Sequence, residues 1–441
     1  MLKLEKLIFY LFVFCFAFQT RKIMYQFGGD FNEWTSIYIY LTDILLVIVL
    51  LLWVLRKRKQ RFLKFQGQSL SKGTVPGVIK SPSFWLVAFL VFSLISLIEA
   101  RNIGLGFYSW FKLLEMIILF LYLKHNFKQL FSFEKLSYIF VFSGLFQSFI
   151  AISQYIQQKS LGLKFLAESP LNPEIAGVAK IIVDGTKMIR SYGTFPHPNV
   201  LAVFIFICIF FTFYLFLDKK NSFKKYVFLS IIFFFLFFTL FLTYSRLTIF
   251  IFLLSSIIYF ILLFKKHKKQ VLILFLLFII FLFIITYLIW PEISSRLNVS
   301  MGDQSIGLRL FYNQTAFLII QEYPFLGIGF GNFVWEIRQM LDLLNSWIHQ
   351  PVHSIYLLIA SEAGLIGLFT FLMFIYQLLR QFNKKLKNKK NYLLFIIFFT
   401  FLFIGIFDHF FWTLQQGQLM FWIFLGLMAG NEFAIPSRDI F

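Results

Sequence analysis

Arg190, Arg246 and Arg309, with His197 and His353, are the residues of this 441-residue chain whose types and placement could do chemistry. The segment Arg190-Ser-Tyr-Gly-Thr-Phe-Pro-His-Pro-Asn199 puts a cation, an imidazole and a helix start directly before an apolar run. That run is long enough to cross a bilayer. Pro198 and Asn199 open a helix whose free N–H groups and partial positive charge attract anions. A guanidinium presents a planar fork of donors matched to phosphate oxygens, so two or three of them would neutralise a diphosphate. An imidazole titrates near neutrality and suits a general base. His353 is the candidate for taking a proton from a hydroxyl. His349 is its rival, with Pro351 between them breaking any shared helix face. Together these types suit an anionic head group whose tail lies in lipid.

The elements that must carry these residues are apolar. The chain is 59% hydrophobic and only 14% charged, with a mean hydropathy of +0.80. A soluble domain is nearer half apolar and a quarter charged. The expected fold is therefore all-α, a polytopic membrane domain over residues 1–441. About twelve spans are expected, at 5–20, 36–55, 83–99, 107–123, 137–157, 199–217, 226–243, 247–264, 270–290, 354–379, 391–409 and 418–430. The first lacks a small-x-small cleavage pattern and reads as a span rather than a removed signal. Most Lys and Arg fall in loops on one side, led by Arg56–Arg61 and Lys265–Lys269, which places both termini in the cytoplasm. Two long loops then face outward, about Gln158–Pro198 and 291–353. The second should be helical over Ile306–Gln321 and Phe333–Ile348, lying along the membrane surface. Arg190, His197, Arg246, Arg309, His353, Asp408 and His409 all fall on that outer side.

Other features carry less. The 67 phenylalanines fit codon usage in an AT-rich genome. Cys15 and Cys208 sit in separate apolar runs without neighbouring histidines, so they make no metal motif. The net charge of +21 is a topology signal, which removes nucleic acid as a partner. Gly327-Ile-Gly-Phe-Gly331 follows no strand and is a tight turn, not a nucleotide loop. Asp43, Glu115 and Asp408 are acids at membrane depth, either proton relays or partners of cations, and Lys112 and Glu115 can pair at i,i+3. Glu362 lies too deep to touch His353 and should pair with another span. No Asp-x-Asp metal motif is present, and no metal or cofactor is expected.

The ordered set of motifs resembles the O-antigen ligase and polymerase superfamily over about 140–430. It comprises Arg190 to Asn199, Thr243-Tyr-Ser-Arg246, Arg309 to Ala316 with Tyr323 to Gly331, His353 to Gly367, and Asp408 to Gly417. The resemblance implies a multi-span glycosyltransferase acting at the outer face of the cytoplasmic membrane. It would move a glycan from a polyprenyl diphosphate carrier to a hydroxyl of a glycan or lipid-glycan acceptor. Arg190, Arg246 and Arg309 would hold the diphosphate, with Arg309 and His353 catalytic and His197 and Asn199 at the substrate. Many relatives have His-Asn where this chain has His353-Ser354, so a role for an amide there does not carry over. The competing expectations are a transporter of lipid-linked sugars, which would use mid-membrane charges such as Asp43 and Glu115, and a peptidoglycan polymerase, whose expected outer-loop aspartate has no match.

Overall fold

The computed structural model describes residues 1–64, 81–297, 304–341 and 348–430. It is 73% helical. The helices are α1 (Leu2–Cys15), α2 (Leu41–Lys64), α3 (Pro82–Ile95), α4 (Ile103–Leu130), α5 (Phe133–Gln157), α6 (Pro198–Phe216), α7 (Phe223–Leu242) and α8 (Arg246–Leu288). They continue with α9 (Trp290–Leu297), α10 (Gln304–Glu322), α11 (Phe333–Met340), α12 (Ile355–Asn383), α13 (Lys389–Ile404), α14 (Phe410–Thr413) and α15 (Gln415–Ala429). Among the described residues, seven helices are long and apolar enough to cross a membrane. The chain is an all-α, multi-pass membrane protein.

The core forms around α6. This helix is apolar on every face, and such a helix must be surrounded by protein or lipid. Here it is buried along nearly its whole length by α5, α7, α8 and α13. Phe206, Phe210 and Phe213 interleave with Phe233, Phe252 and Tyr259 of the flanking helices. Large rings fill the space between helices and prefer tilted or edge-on contacts. The other half pairs α3 with α12 and α4 with α15.

Several expected boundaries change. Residues 36–40 are not helical: Ser36–Tyr40 is a strand, β2, paired antiparallel with β1 (Arg21–Gln26). Its alternating Ile and Tyr suit a pleated ribbon, and helix α2 begins only after them. A second small hairpin, β3 (Lys180–Val183) with β4 (Thr186–Ile189), lies in the first long loop. The expected span 391–409 ends as a helix at Ile404, so Asp408 and His409 sit in a turn beyond it. Helix α8 carries both spans expected at 247–264 and 270–290, and it folds back at His267, where the backbone leaves helical geometry. The rings of Phe252 and Phe278 lie 6.1 Å apart, whereas a straight helix would set them about 39 Å apart. Of the two loop helices, α10 matches the expectation, with Tyr312, Ala316 and Ile319 on its buried face. Helix α11 ends at Met340, and Trp347 lies outside the described residues.

The basic loops gather at one end of the bundle: Lys266 Nζ donates to the Lys387 carbonyl at 2.8 Å, and Lys389 Nζ to that of Tyr214 at 3.1 Å. Arg56 also lies at the end of α2 reached by the start of α1, donating to Glu5 at 2.7 Å and to Asn126 at 2.6 Å. The opposite end of α6 is fixed by two glutamines of α5. Gln147 accepts from Thr194 N–H at 2.9 Å and donates to its hydroxyl at 2.8 Å. Gln154 accepts from Tyr192 and Gly193 N–H and donates to the Gly193 carbonyl at 2.8 Å. Gly193 has φ +58, and a Cβ there would meet the Gln147 amide. Buried backbone groups left without partners cost about 1–3 kcal/mol each. Replacing Gln154→Leu is therefore expected to lower stability by at least about 2 kcal/mol. Thermal unfolding of the detergent-solubilised protein, followed by size-exclusion fluorescence, measures this; an unchanged midpoint would mean that the Arg190–Asn199 segment holds itself.

Candidate functional site

The loop that Gln147 and Gln154 hold delivers Arg190 into a buried position at the mouth of α6. Its Nε donates to the Thr243 carbonyl at 2.7 Å and its Nη2 to Asn199 Oδ1 at 2.8 Å. The Thr243 carbonyl is aimed by the turn Thr243-Tyr-Ser-Arg246, in which Tyr244 has φ +46. A bulky residue in that region is uncommon and strained, so packing must hold it there. Tyr244 is buried, with its hydroxyl 3.4 Å from that of Tyr155.

From Asn199 the network continues. Its Nδ2 donates to Asp408 Oδ2 at 3.1 Å, and Asp408 Oδ1 accepts from His409 N–H at 2.8 Å. The His409 ring lies 5.0 Å from that of His353, edge to face. Tyr312 stacks on the other ring contact of His353 at 5.9 Å and 14°. His197 caps α6: its Nδ1 accepts from Asn199 N–H at 3.2 Å, which leaves the ring proton on Nε2 when the ring is neutral. Arg246 opens α8, exposed, and donates to the Arg296 carbonyl at 3.3 Å. Arg309, also exposed, lies one turn before Tyr312 on α10 and so at the edge of the same group.

The six residues Arg190, His197, Asn199, Arg246, Arg309 and His353 therefore belong to one end of the bundle, although they lie far apart in the chain. His349 does not join them. Its Nε2 lies 3.1 Å from the Leu341 carbonyl and its own carbonyl accepts from Asn32 at 2.9 Å, so it holds the loop. Ser354 accepts from Leu357 N–H at 3.4 Å and caps α12, a task serine and asparagine share. Glu362 does not pair with another span. It accepts from Phe333 N–H at 3.2 Å, at the start of α11. The glycine turn Gly327–Gly331 packs on the break of α12 at Gly364, where a Cβ would run into the Phe325 carbonyl. Arg296 went unnoticed in the sequence. Its signal was a single cation ending the short helix α9, just past the last apolar span.

The electrostatics follow from crowding cations and imidazoles in a dry place. Burial, then Arg296, Arg246 and Arg309, push the Arg190 guanidinium down to about 9, so it stays charged at neutral pH. Burial holds the His353 imidazole below its ordinary value, Asp408 opposes this, and Arg309 adds to it. His197 and His409 are pushed down in the same way, burial first. Burial raises the Asp408 carboxyl, but His409, His353, His197 and Arg309 outweigh it and keep it ionised. The site at pH 7 thus holds neutral imidazoles, one carboxylate and four guanidiniums. Neutral imidazoles can accept protons, and the guanidiniums can hold an anion. Among the described residues, no group of three or more His, Cys, Asp or Glu is placed to hold a metal ion.

Residues 231–372 match the model of the family described as O-antigen ligase. No curated protein matches the chain. The matched segment carries Arg246, Arg296, Arg309 and His353, and over that segment the chain is similar to the family.

Only a neutral imidazole reacts with diethyl pyrocarbonate. Because burial holds the folded value below 6.5, the reactivity of His353 is expected to fall with a midpoint on the acid side of pH 6.5. Peptide mass spectrometry of pulse-labelled protein reads the rate, and a midpoint above pH 6.5 would contradict the burial argument.

Proposed function

We propose that this protein transfers a glycan from a polyprenyl diphosphate carrier to a hydroxyl of an acceptor glycan or lipid-glycan, at the outer face of the cytoplasmic membrane. The observation that carries the reading is the chain of contacts Arg190–Asn199–Asp408–His409–His353. It joins an anion-binding group to a proton acceptor through one carboxylate. Arg190, Arg246 and Arg309, with Arg296 beside them, hold the diphosphate. Arg190 commits two N–H donors to the protein, and the remaining donors of its fork serve the ligand. His353 takes the proton of the acceptor hydroxyl; its Nδ1 is buried and has no partner among the described residues. A buried polar atom without a partner calls for an explanation, and a ligand or its water supplies one.

The step balances without a co-reactant. The acceptor oxygen attacks the anomeric carbon, its proton passes to His353, and the bond from that carbon to the diphosphate oxygen breaks. The electron pair stays on the diphosphate, where the arginines stabilise the charge as it grows. Asn199 and Asp408 position Arg190 and the histidines. Attack from the face opposite the leaving group inverts the anomeric centre, and product NMR showing retention would refute that. The basic loops at the other end of the bundle support a cytoplasmic location for that end and an outer location for the site.

The test is mass spectrometry of carrier-linked glycans and surface polymer from cells with the wild-type protein or His353→Ala at equal membrane abundance. Single repeat units on the carrier identify a polymerase, and long polymer stranded on the carrier identifies a ligase. An unchanged profile sinks the role of His353 and favours the transporter alternative, for which the Asp43–Lys112–Glu115 group would then be the natural candidate. In an in vitro transfer assay, Arg296→Ala is expected to raise the donor KM by about 10-fold or more, the loss of one charge-assisted hydrogen bond. No change would remove Arg296 from the diphosphate site.

A further inference from the structure

A polar cavity lies beside the histidine pair, walled by the first hairpin, α4, α12 and the α14 turn. We propose that it is the acceptor subsite and that it takes a neutral or amine-bearing saccharide in preference to an acidic one. This rests on the transferase reading above.

The first argument is position. The cavity shares its wall with the catalytic group at three points. Trp34 lines it and stands edge-on to His409 at 5.8 Å. Thr413 lines it and places its hydroxyl 2.7 Å from His409 Nδ1. Pro351 lines it two residues before His353. A sugar seated there would lie one side chain from His409, whose ring meets that of His353, while the arginines hold the donor elsewhere.

The second argument is chemistry. Among the described residues, no arginine lines the cavity. Aromatic faces such as Trp34 and Tyr108 suit the C–H faces of sugar rings, and carboxylates and amides suit their hydroxyls. The charges are biased. Lys112 is held by Asp43 at 2.6 Å and by Glu115 at 3.0 Å, so its charge is spent within the wall. Glu33 is paired with Arg21. Glu362 lines the cavity without a cation among the described residues, held instead by the Phe333 N–H. Carboxylates thus outnumber cations at and behind the wall, the reverse of the arginine site. An acidic sugar would find no unpaired cation among the described residues of this wall, and a diphosphate would find none either.

The test uses full-length protein in detergent and three probes: inorganic pyrophosphate, fluorescent oligosaccharide released from the host's carrier-linked repeat units, and fluorescent oligosaccharide released from its lipid-glycan. Trp34→Ala and Glu362→Gln are compared with Arg309→Ala. The glutamine still accepts the Phe333 N–H, so that variant should fold even where the alanine does not. The expected result is at least 10-fold weaker oligosaccharide binding in the two cavity variants, with pyrophosphate binding unchanged, and the reverse pattern for Arg309→Ala. Binding of either oligosaccharide upholds the subsite, and which one binds separates a growing chain from a finished lipid-glycan as acceptor. Wild-type binding of neither, or displacement of bound oligosaccharide by pyrophosphate, overturns it. Oligosaccharide bound in the cavity with no transfer to it would fail the transferase reading while leaving the binding site standing.

Discussion

The buried guanidinium of Arg190 is the constraint on which the rest of this end of the molecule depends. A cation out of water is costly unless its donors are matched. Here the matching is done by a carbonyl in the α7–α8 turn and by the first residues of α6. To present that carbonyl, Tyr244 adopts a left-handed backbone. To present Asn199, His197 must cap α6 and two glutamines of α5 must fix the preceding loop. Placing one charge thus ties together four elements. The most apolar helix of the bundle then carries a polar junction at its start.

The same placement governs the histidines. Asp408 is bonded to Asn199 on one side and to the His409 backbone on the other, so the carboxylate that answers the arginines also sits among the imidazoles. Without it, the group would hold only cations and neutral rings. Asp408 lies past the end of α13 rather than inside a helix, and only a turn lets both of its oxygens be used in this way.

Much of this was legible in the chain. Apolar runs gave the helical class, because a bilayer allows few other solutions. The placement of cations and imidazoles next to those runs gave Arg190, His197, Asn199, Arg246, Arg309 and His353, since side chains at neighbouring helix ends converge when the helices pack. What stayed hidden depends on contacts between distant segments. Ser36–Tyr40 alternates, but it is embedded in an apolar stretch whose length masks a five-residue strand. Arg296 looks like any loop cation until α9 brings its carbonyl to Arg246. Tyr312 reads as a buried face of α10, and only the fold shows that the face includes His353. The Gln415-Gln-Gly417 run reads as a motif without a role. In the fold Gln415 donates to Asp43 at 2.7 Å, and Gly417 lets α14 approach closely.

The nearness of Arg309 to His353 couples two events that are usually treated separately. Burial holds the imidazole below its ordinary basicity, and the cation adds to this. An anion bound at the arginines would screen that added charge, so the ring would be a stronger proton acceptor with the anion in place than without it. Linkage makes this reciprocal: a ring that has just gained its proton would grip the departing anion more tightly until the proton leaves. Product escape would then be coupled to the loss of one proton.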